Sequence, residues 1–249
     1  GVTWDVYDCM KRELDNQCFH DDPADEEYFI GVFGSFKYSI PLTCECSWTG
    51  KFVLLSLCFW EMGKLVLFSL IARMENLKLP NSLAKPVDVL DLAEFDKAVA
   101  EAEALYGPTD LLINNAGYMN LEHSAQQSPD EWKKQFEINC VGLLNCTSVI
   151  FPEMIKRKTG TIINVGSTAG RNIYDNHTAY NGTKHAVHAM SEGLRREGSP
   201  HNVRVIVVAP GMVDSELTSG TSNQQILADR ESYRQSIDGA LSSDDIARA

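Results

Sequence analysis

A serine, a tyrosine and a lysine stand close together in the stretch GSTAGRNIYDNHTAYNGTKHAV, residues 166–187. Ser167 precedes Tyr180 by thirteen residues, and Lys184 follows Tyr180 by four. Residues four apart share one face of a helix, so a helix here would make the tyrosine and the lysine neighbours. A phenol in this position could exchange a proton with an alcohol or carbonyl oxygen, which the serine hydroxyl could hold by a hydrogen bond.

The lysine would also change the acidity of the phenol. The reference pKa of tyrosine is about 10, which is too high for a general base at neutral pH. An ammonium group about 5 Å away, at an effective dielectric constant of about 20, favours the phenolate by roughly 3 kcal/mol, or about two pKa units. We therefore expect Lys184 to lower the pKa of Tyr180. Alone, however, a Tyr-x-x-x-Lys pair is common in helices whose role is only structural.

Strands and helices are predicted to alternate from about residue 83 onward. Apolar runs without polar alternation predict strands buried on both faces, at residues 109–117, 160–167 and 203–211. Helices are predicted at 91–106, 128–156 and 178–198. Asp91 with Glu94, and Ser128 with Pro129, are the signals that open the first two helices. The alternation predicts an α/β fold: a doubly wound, Rossmann-like parallel sheet with helices on both faces, in a single domain.

The predicted strand ends carry groups that could bind a ligand. Ser167 follows one strand, Asn114 ends another, and Pro210 and Gly211 follow a third. Open α/β sheets bind ligands outside the carboxyl ends of their strands. These groups should therefore face one crevice, which could hold a cofactor and a substrate.

Composition excludes several classes of protein. The 249 residues carry a net charge of −12 and no basic cluster, so we expect no nucleic-acid partner. The seven cysteines are odd in number, and residues 1–15 lack the apolar region of a secretory signal, which favours free thiols and a cytoplasmic location. The Cys-x-Cys spacing at 44–46 does not match a zinc site, so no metal is expected.

The first part of the chain is less regular. We expect residues 1–45 to form an atypical segment, partly disordered or non-native, and residues 46–249 to form the Rossmann-fold domain. Residues 52–72 are long and apolar enough to suggest a membrane span. Glu61 and Lys64 would each cost about 2.5–3.5 kcal/mol in mid-membrane, so we favour a buried helix followed by a strand and expect no membrane partner.

Six segments resemble, in order and spacing, the motifs of the short-chain dehydrogenase/reductase family. They are DVLD (88–91), NNAG (114–117), INCVG (138–142), INVGSTAG (163–170), YNGTK (180–184) and APGMVDSEL (209–217). The resemblance covers about residues 60–249. It implies an oxidoreductase that interconverts a secondary alcohol and a carbonyl compound with a nicotinamide cofactor, and that assembles as a homodimer or homotetramer.

The resemblance also implies roles for individual residues. Tyr180 would be the general acid/base, Lys184 would bind the nicotinamide ribose and lower the tyrosine pKa, and Ser167 would hold the substrate oxygen. Asn139 would interrupt the long helix and anchor a water that relays protons to Lys184. The implied cofactor contacts are Arg73, Asp88, Val89, Asn114, Ala116, Gly117, Tyr180, Lys184, Pro210, Gly211, Val213 and Ser215. Residues 216–233 would form a substrate lid.

Arg73 bears on the choice of cofactor. An arginine after the second strand can pair with the 2′-phosphate of NADP, whereas NAD users tend to place a carboxylate there. We therefore expect NADP rather than NAD, although a solvent-facing arginine at a strand end is the simpler alternative.

Two departures from the family pattern leave the function open. The glycine-rich turn that receives the cofactor pyrophosphate is not found near Thr49 and Gly50 or elsewhere. At the other end, residues 241–249 resemble the start of the last family helix, so the final strand is expected to be missing. The chain could be an enzyme with an unusual phosphate loop or a non-catalytic binding or scaffold protein. Alternatively, its first 60 residues could come from a wrongly joined coding segment.

Overall fold

The computed structural model describes residues 85, 87–237 and 239–248, together with two short strands, β1 (Phe29–Ile30) and β2 (Phe52–Val53). These two strands pair in parallel, with Phe29 opposite Phe52. The predicted boundary at residues 45 and 46, the remainder of the apolar stretch 52–72, and Arg73 lie outside the described residues.

The second sheet is parallel and has the strand order β3-β4-β5. Its strands are β3 (Leu111–Asn114), β4 (Gly160–Val165) and β5 (Val203–Val208). The helices are α1 (Leu92–Tyr106), α2 (Pro129–Phe136), α3 (Leu143–Arg157), α4 (Thr178–Gly198), α5 (Gln224–Ser236) and α6 (Ser243–Arg248). Each of the three strands falls within a predicted apolar run, so the expected parallel α/β fold is confirmed for this part of the chain.

The predicted helix signals work as capping groups. The Asp91 carboxylate accepts a hydrogen bond from the Glu94 N–H at 2.9 Å, and Gly107 ends α1 with a φ of 85°. At α2, the Ser128 hydroxyl accepts from the Glu131 N–H at 3.2 Å, and Pro129 occupies the first turn. Residues ahead of α1 form a turn, in which the Asp91 N–H donates to the Asp88 carbonyl at 2.9 Å.

A π-helical turn, Glu137–Gly142, joins α2 to α3. The whole run Pro129–Arg157 is long and apolar enough to cross a membrane, but half of its apolar part is buried inside the protein. Ile150 and Met154 on this run belong to the main core, which identifies it as a core helix. The π turn shifts the register of the helix at Asn139, and such turns are frequent at functional sites.

Two apolar clusters organise the described residues. The larger one packs α1 and α3 against the sheet, with Phe95, Ile150, Leu112 and Ile162 among its buried members. The smaller one lies beyond the strand ends and joins α5 to α4 and the loops, through Met119, Leu121, Ala169, Tyr180 and Ile226. The first cluster fixes the strands that carry the site, and the second covers the site.

Candidate active site

A cavity of about 720 Å³ opens at the carboxyl ends of β3, β4 and β5. We call the side formed by residues 115–121, 165–169, Tyr180 and Lys184 the sheet wall. The part formed by residues 217–237 is called the lid wall. Both walls contribute to the lining of the cavity. The crevice expected at the strand ends is therefore present, and Ser167, Tyr180 and Lys184 all face it.

Tyr180 lies in the first turn of α4, and its side chain is only 6% exposed. Burial raises the pKa of Tyr180 to about 12, while the Ser167 hydroxyl and the positive charge of Arg230 act to lower it. The pKa of Tyr180 thus lies above the reference value of about 10, and the decrease expected from Lys184 stays a prediction. Removal of the phenol from water outweighs the neighbouring groups that favour the phenolate.

Lys184 lies one turn after Tyr180, as the spacing predicted. Its ammonium nitrogen is 5.7 Å from the centre of the Tyr180 ring and donates a hydrogen bond to the Val165 carbonyl at 2.8 Å. The side chain is 5% exposed, so this buried charge is held at the end of β4. A Cβ added to Gly117 would lie 3.9 Å from the same nitrogen, which shows how near the β3 loop comes to it.

Ser167 follows β4 and caps a short 3₁₀ turn. Its hydroxyl oxygen accepts from the Ala169 N–H at 3.1 Å and lies 3.5 Å from the Pro210 carbonyl. The second contact is long, so the hydroxyl proton can turn toward a ligand at little cost. Glycine is required just before the serine, because a Cβ on Gly166 would lie 2.5 Å from the His188 ring.

Asn139 fixes the geometry of the sheet wall. Its side-chain oxygen accepts from the Tyr118 N–H at 2.7 Å, and its amide donates to the Tyr118 carbonyl at 2.9 Å and to the Thr183 hydroxyl at 3.0 Å. The residue thereby links the π turn, the loop after β3 and helix α4. Asn139 does not line the cavity itself.

Asn114 points away from the cavity, into the protein. Its amide donates to Asn164 at 2.9 Å and to Thr147 at 3.2 Å, and Asn164 in turn donates to Ser191 at 2.8 Å. This chain of hydrogen bonds joins β3 and β4 to α3 and α4. Asn114 therefore supports the strand ends, whereas Ala116 and Gly117, two and three residues later, reach the cavity lining.

The other predicted cofactor residues fall into two groups. Pro210, Gly211, Val213 and Ser215 line the cavity after β5. Asp88 and Val89 do not line it: the Asp88 carboxylate accepts from the Leu90 N–H at 2.9 Å, and Val89 is part of the core.

The lid wall supplies cavity residues that sequence reasoning did not single out. Ile226, Arg230, Tyr233 and Ile237 line the cavity from α5 and the residue after it. Their spacing of four, three and four residues places them on one helical face, and this periodicity within the expected lid could have indicated them. His177 also lines the cavity, and burial lowers its pKa, with a further decrease from Arg230.

The sequence profile of the short chain dehydrogenases matches residues 69–226 of this chain. The chain belongs to that family. The match includes every cavity residue from Asn115 to Ile226, so the family sequence and the site geometry coincide.

Individual family members share part of the chain. An uncharacterized oxidoreductase of Staphylococcus saprophyticus is 35% identical over 167 residues, which cover 66% of this chain and 67% of the relative. The chain spans 58% of the length of a similar oxidoreductase of Staphylococcus aureus.

Two solved dehydrogenase structures are also similar to part of this chain. The serine dehydrogenase of Escherichia coli is 30% identical, with a TM-score of 0.56 and coverage of 66% of this chain and 72% of that one. A gluconate 5-dehydrogenase of Burkholderia cenocepacia, in complex with NADP and tartrate, has a TM-score of 0.64 and coverage of 81% and 79%. At 22% identity, the second likeness shows the fold alone.

Proposed function

We propose that the protein is an oxidoreductase that transfers a hydride between NADP(H) and a secondary alcohol or carbonyl substrate, with Tyr180 as general acid/base. The observation that supports this most is that Tyr180, Ser167 and Lys184 face one cavity at the strand ends. A cytoplasmic location and a homodimeric or homotetrameric assembly complete the proposal, as expected from the sequence and the family.

The described residues fit the nicotinamide end of such a cofactor. Ala116 and Gly117 line the cavity together with Pro210–Val213 and Ser215, and the Lys184 ammonium group lies near Gly117. Gly117 leaves backbone accessible at the point where the ammonium group approaches, as a bound ribose would need. When bound, the dinucleotide would supply or accept the hydride. The preference for NADP over NAD rests on Arg73, which lies outside the described residues.

The raised pKa of Tyr180 suits one direction of the reaction. A phenol with a pKa of about 12 carries its proton at neutral pH, so Tyr180 is ready to donate that proton to the oxygen of a carbonyl substrate during reduction. Ser167 would donate a second hydrogen bond to the same oxygen and stabilise the negative charge that develops there. In the oxidative direction, the phenol would have to lose its proton first.

Lys184 and Asn139 would support these two groups in different ways. The Lys184 ammonium adds positive charge beside the site, which favours the phenolate when Tyr180 gives up its proton. Asn139 would act through position, because it binds both the loop after β3 and the residue before Lys184. A water held near Asn139 would then have a route to Lys184, as the family resemblance implies.

Cofactor binding and catalysis can be tested separately. Titration of the purified protein with NADPH and NADH, followed by nicotinamide fluorescence, should give saturable binding that favours NADPH. The rate of ketone reduction should be roughly 100- to 10,000-fold lower in Tyr180→Phe than in the parent. Tyr106→Phe, which removes the same oxygen at the end of α1, is the matched control. Unchanged turnover in Tyr180→Phe would refute its catalytic role, and absence of NADPH and NADH binding would refute the cofactor assignment.

A further inference from the structure

One cationic side chain in the cavity makes no hydrogen bond or ion pair within the part of the chain that the structure describes. Arg230 lines the cavity from α5 and makes no hydrogen bond or ion pair with any described residue. It is half-buried, and burial lowers the pKa of its guanidinium while the nearness of Tyr180 raises it. A guanidinium withdrawn from water is stabilised by an anion that accepts its hydrogen bonds.

The other charged groups of α5 are engaged. Arg234 lies 3.5 Å from the Asp214 carboxylate and 3.6 Å from that of Glu231. Asp229 accepts a hydrogen bond from the Gln225 amide at 2.8 Å. Arg230 therefore differs from its neighbours on the same helix, although Asp229 is adjacent to it in the sequence. Asp229 also borders the cavity, but it is exposed and already paired, whereas Arg230 is half-buried and unpaired among the described residues.

The helix is oriented so that Arg230 faces the reacting groups. Ile226, one turn earlier, is 4% exposed and packs in the apolar cluster that contains Tyr180. Residues four apart share a helix face, so Arg230 is directed to the same cavity that receives Tyr180. The positive charge of Arg230 acts on both Tyr180 and His177, which places the guanidinium within electrostatic reach of each.

We propose that Arg230 binds the carboxylate of the substrate, and that the substrate class is a small hydroxy or oxo carboxylic acid. The carboxylate would pair with the guanidinium on the lid wall while the hydroxyl or carbonyl oxygen reaches Ser167 and Tyr180 on the sheet wall. A guanidinium presents two parallel donors that match the two oxygens of a carboxylate. This inference rests on the proposed oxidoreductase function and adds the chemical identity of a substrate group that does not react.

A phosphate of the cofactor is the other anion that an arginine could bind. Arg230 lines the cavity from the lid wall with Ile226 and Tyr233, whereas Ala116 and Gly117 belong to the sheet wall. The proposal therefore requires that the affinity for NADPH stay the same when Arg230 is replaced. A loss of NADPH affinity in the Arg230 variant would assign the residue to the cofactor and overturn the proposal.

The test compares each acid with its neutral ester. NADPH-dependent reduction is measured for 2-oxobutanoate and 3-oxobutanoate and for the methyl ester of each. The parent should prefer at least one acid to its ester, and Arg230→Met should lower kcat/KM for that acid roughly 10- to 100-fold, the value of a charge-assisted hydrogen bond. The ester should be unaffected. Methionine keeps helix propensity and length, so α5 is retained.

Arg234→Met is the matched control, because it removes the same charge from the same helix outside the cavity lining. It should leave the rates for acid and ester unchanged. Equal losses for acid and ester in Arg230→Met, equal losses for the acid in both arginine variants, or a parent that reduces esters as well as acids, would overturn the proposal.

A second measurement separates this proposal from the proposed activity. If the parent reduces none of the four compounds and binds neither NADPH nor NADH, the oxidoreductase function fails, but the binding of succinate can still be measured by calorimetry. Binding of succinate by the parent and by Arg234→Met, with a roughly 10-fold or larger loss in Arg230→Met, would support a carboxylate site at Arg230. Equal binding by all three proteins would overturn it.

Discussion

The two walls of the cavity are built from different interactions. Hydrogen bonds from buried side chains hold the sheet wall: Asn139 binds Tyr118 and Thr183, and Asn114 binds Asn164. The lid wall rests mainly on apolar contact, with Ile226 as its most buried residue. Two polar contacts join it to the loop after β3, from the Leu121 N–H to Thr221 at 3.1 Å and from Asn223 to Glu122 at 2.8 Å.

This difference matches the tasks that the two walls would have. Groups that exchange a proton must be held within a fraction of an ångström, and buried, fully bonded polar networks achieve this. A substrate wall must admit and release a ligand, which a small apolar contact permits at lower cost. We therefore expect the reacting groups to be held rigidly and the lid wall to separate from them more easily.

The largest effect is expected from removing the central polar group of the sheet wall. Asn139→Ala would remove the hydrogen bonds that the Asn139 side chain makes to the buried N–H and carbonyl of Tyr118 and to the Thr183 hydroxyl. The free energy of unfolding should fall by about 3–5 kcal/mol, since each unsatisfied buried group costs about 1–3 kcal/mol. Urea unfolding measures this, and Asn172→Ala at an exposed position is the control. A loss below 1 kcal/mol would contradict the rigid network.

A pair of isoleucine substitutions compares the two walls directly. Ile162→Ala, in the fully buried middle of β4, should lower the free energy of global unfolding by about 2–5 kcal/mol. Ile226→Ala should remove a similar apolar volume from the lid wall, but its destabilising effect should be confined mainly to that wall. Hydrogen exchange of residues 217–237 should therefore accelerate with little change in the urea midpoint. Equal changes in the midpoint for both variants would show that the lid wall is part of the main cooperative unit.

The sequence alone was sufficient to predict the structural elements whose signals are local. Asp91 and Ser128 were predicted as caps because each acts on a backbone N–H only three residues away. The strand runs at β3, β4 and β5 were predicted because strands buried on both faces need continuous apolar residues. The serine, tyrosine and lysine could be brought together from their positions on these elements.

Features that depend on distant contacts could not be predicted in the same way. The acidity of Tyr180 was estimated from Lys184, four residues away, whereas burial by Leu121 and Ile226 decides it. Asn114 lies at the expected strand end, but its direction depends on Asn164, fifty residues later. Arg230 lay in the expected lid, yet its position in the cavity follows from how α5 packs on Tyr180.

The pKa of Tyr180 tests whether the lid wall keeps water away from the phenol on the sheet wall. In the cofactor-free protein, the phenolate of Tyr180 should form near pH 12, not near the reference value of about 10. The difference in absorbance near 295 nm between the parent and Tyr180→Phe, recorded after rapid pH jumps, reports this. Ile226→Ala should admit water and shift the transition to lower pH. A transition near pH 10 in the parent would show that the lid wall leaves the phenol hydrated.

The same shift has a consequence for stability. The unfolded chain loses the Tyr180 proton near pH 10, while the folded chain keeps it until about pH 12. The folded state thus binds more protons in this interval, so Tyr180 lowers the free energy of unfolding as pH rises from about 10 to about 12 and has no effect below. Tyr180→Phe should remove this part of the alkaline destabilisation.

The smallest effects are expected from two glycines on helical segments, one packed against the core below the sheet wall and one open to solvent. A Cβ on Gly142 would lie 2.5 Å from a methyl carbon of Val89. Gly142→Ala should therefore lower the free energy of unfolding by about 1–3 kcal/mol, because the added methyl group pushes the π turn away from Val89. Gly193, on α4, has nothing within 4 Å of an added Cβ, and Gly193→Ala should stabilise the protein by about 0.5–1 kcal/mol through helix propensity. Urea midpoints that move in opposite directions would confirm that tight packing continues behind the π turn. A neutral or stabilising Gly142→Ala would mean that Val89 can move aside, and that the rigidity of the sheet wall depends on the hydrogen bonds of Asn139 alone.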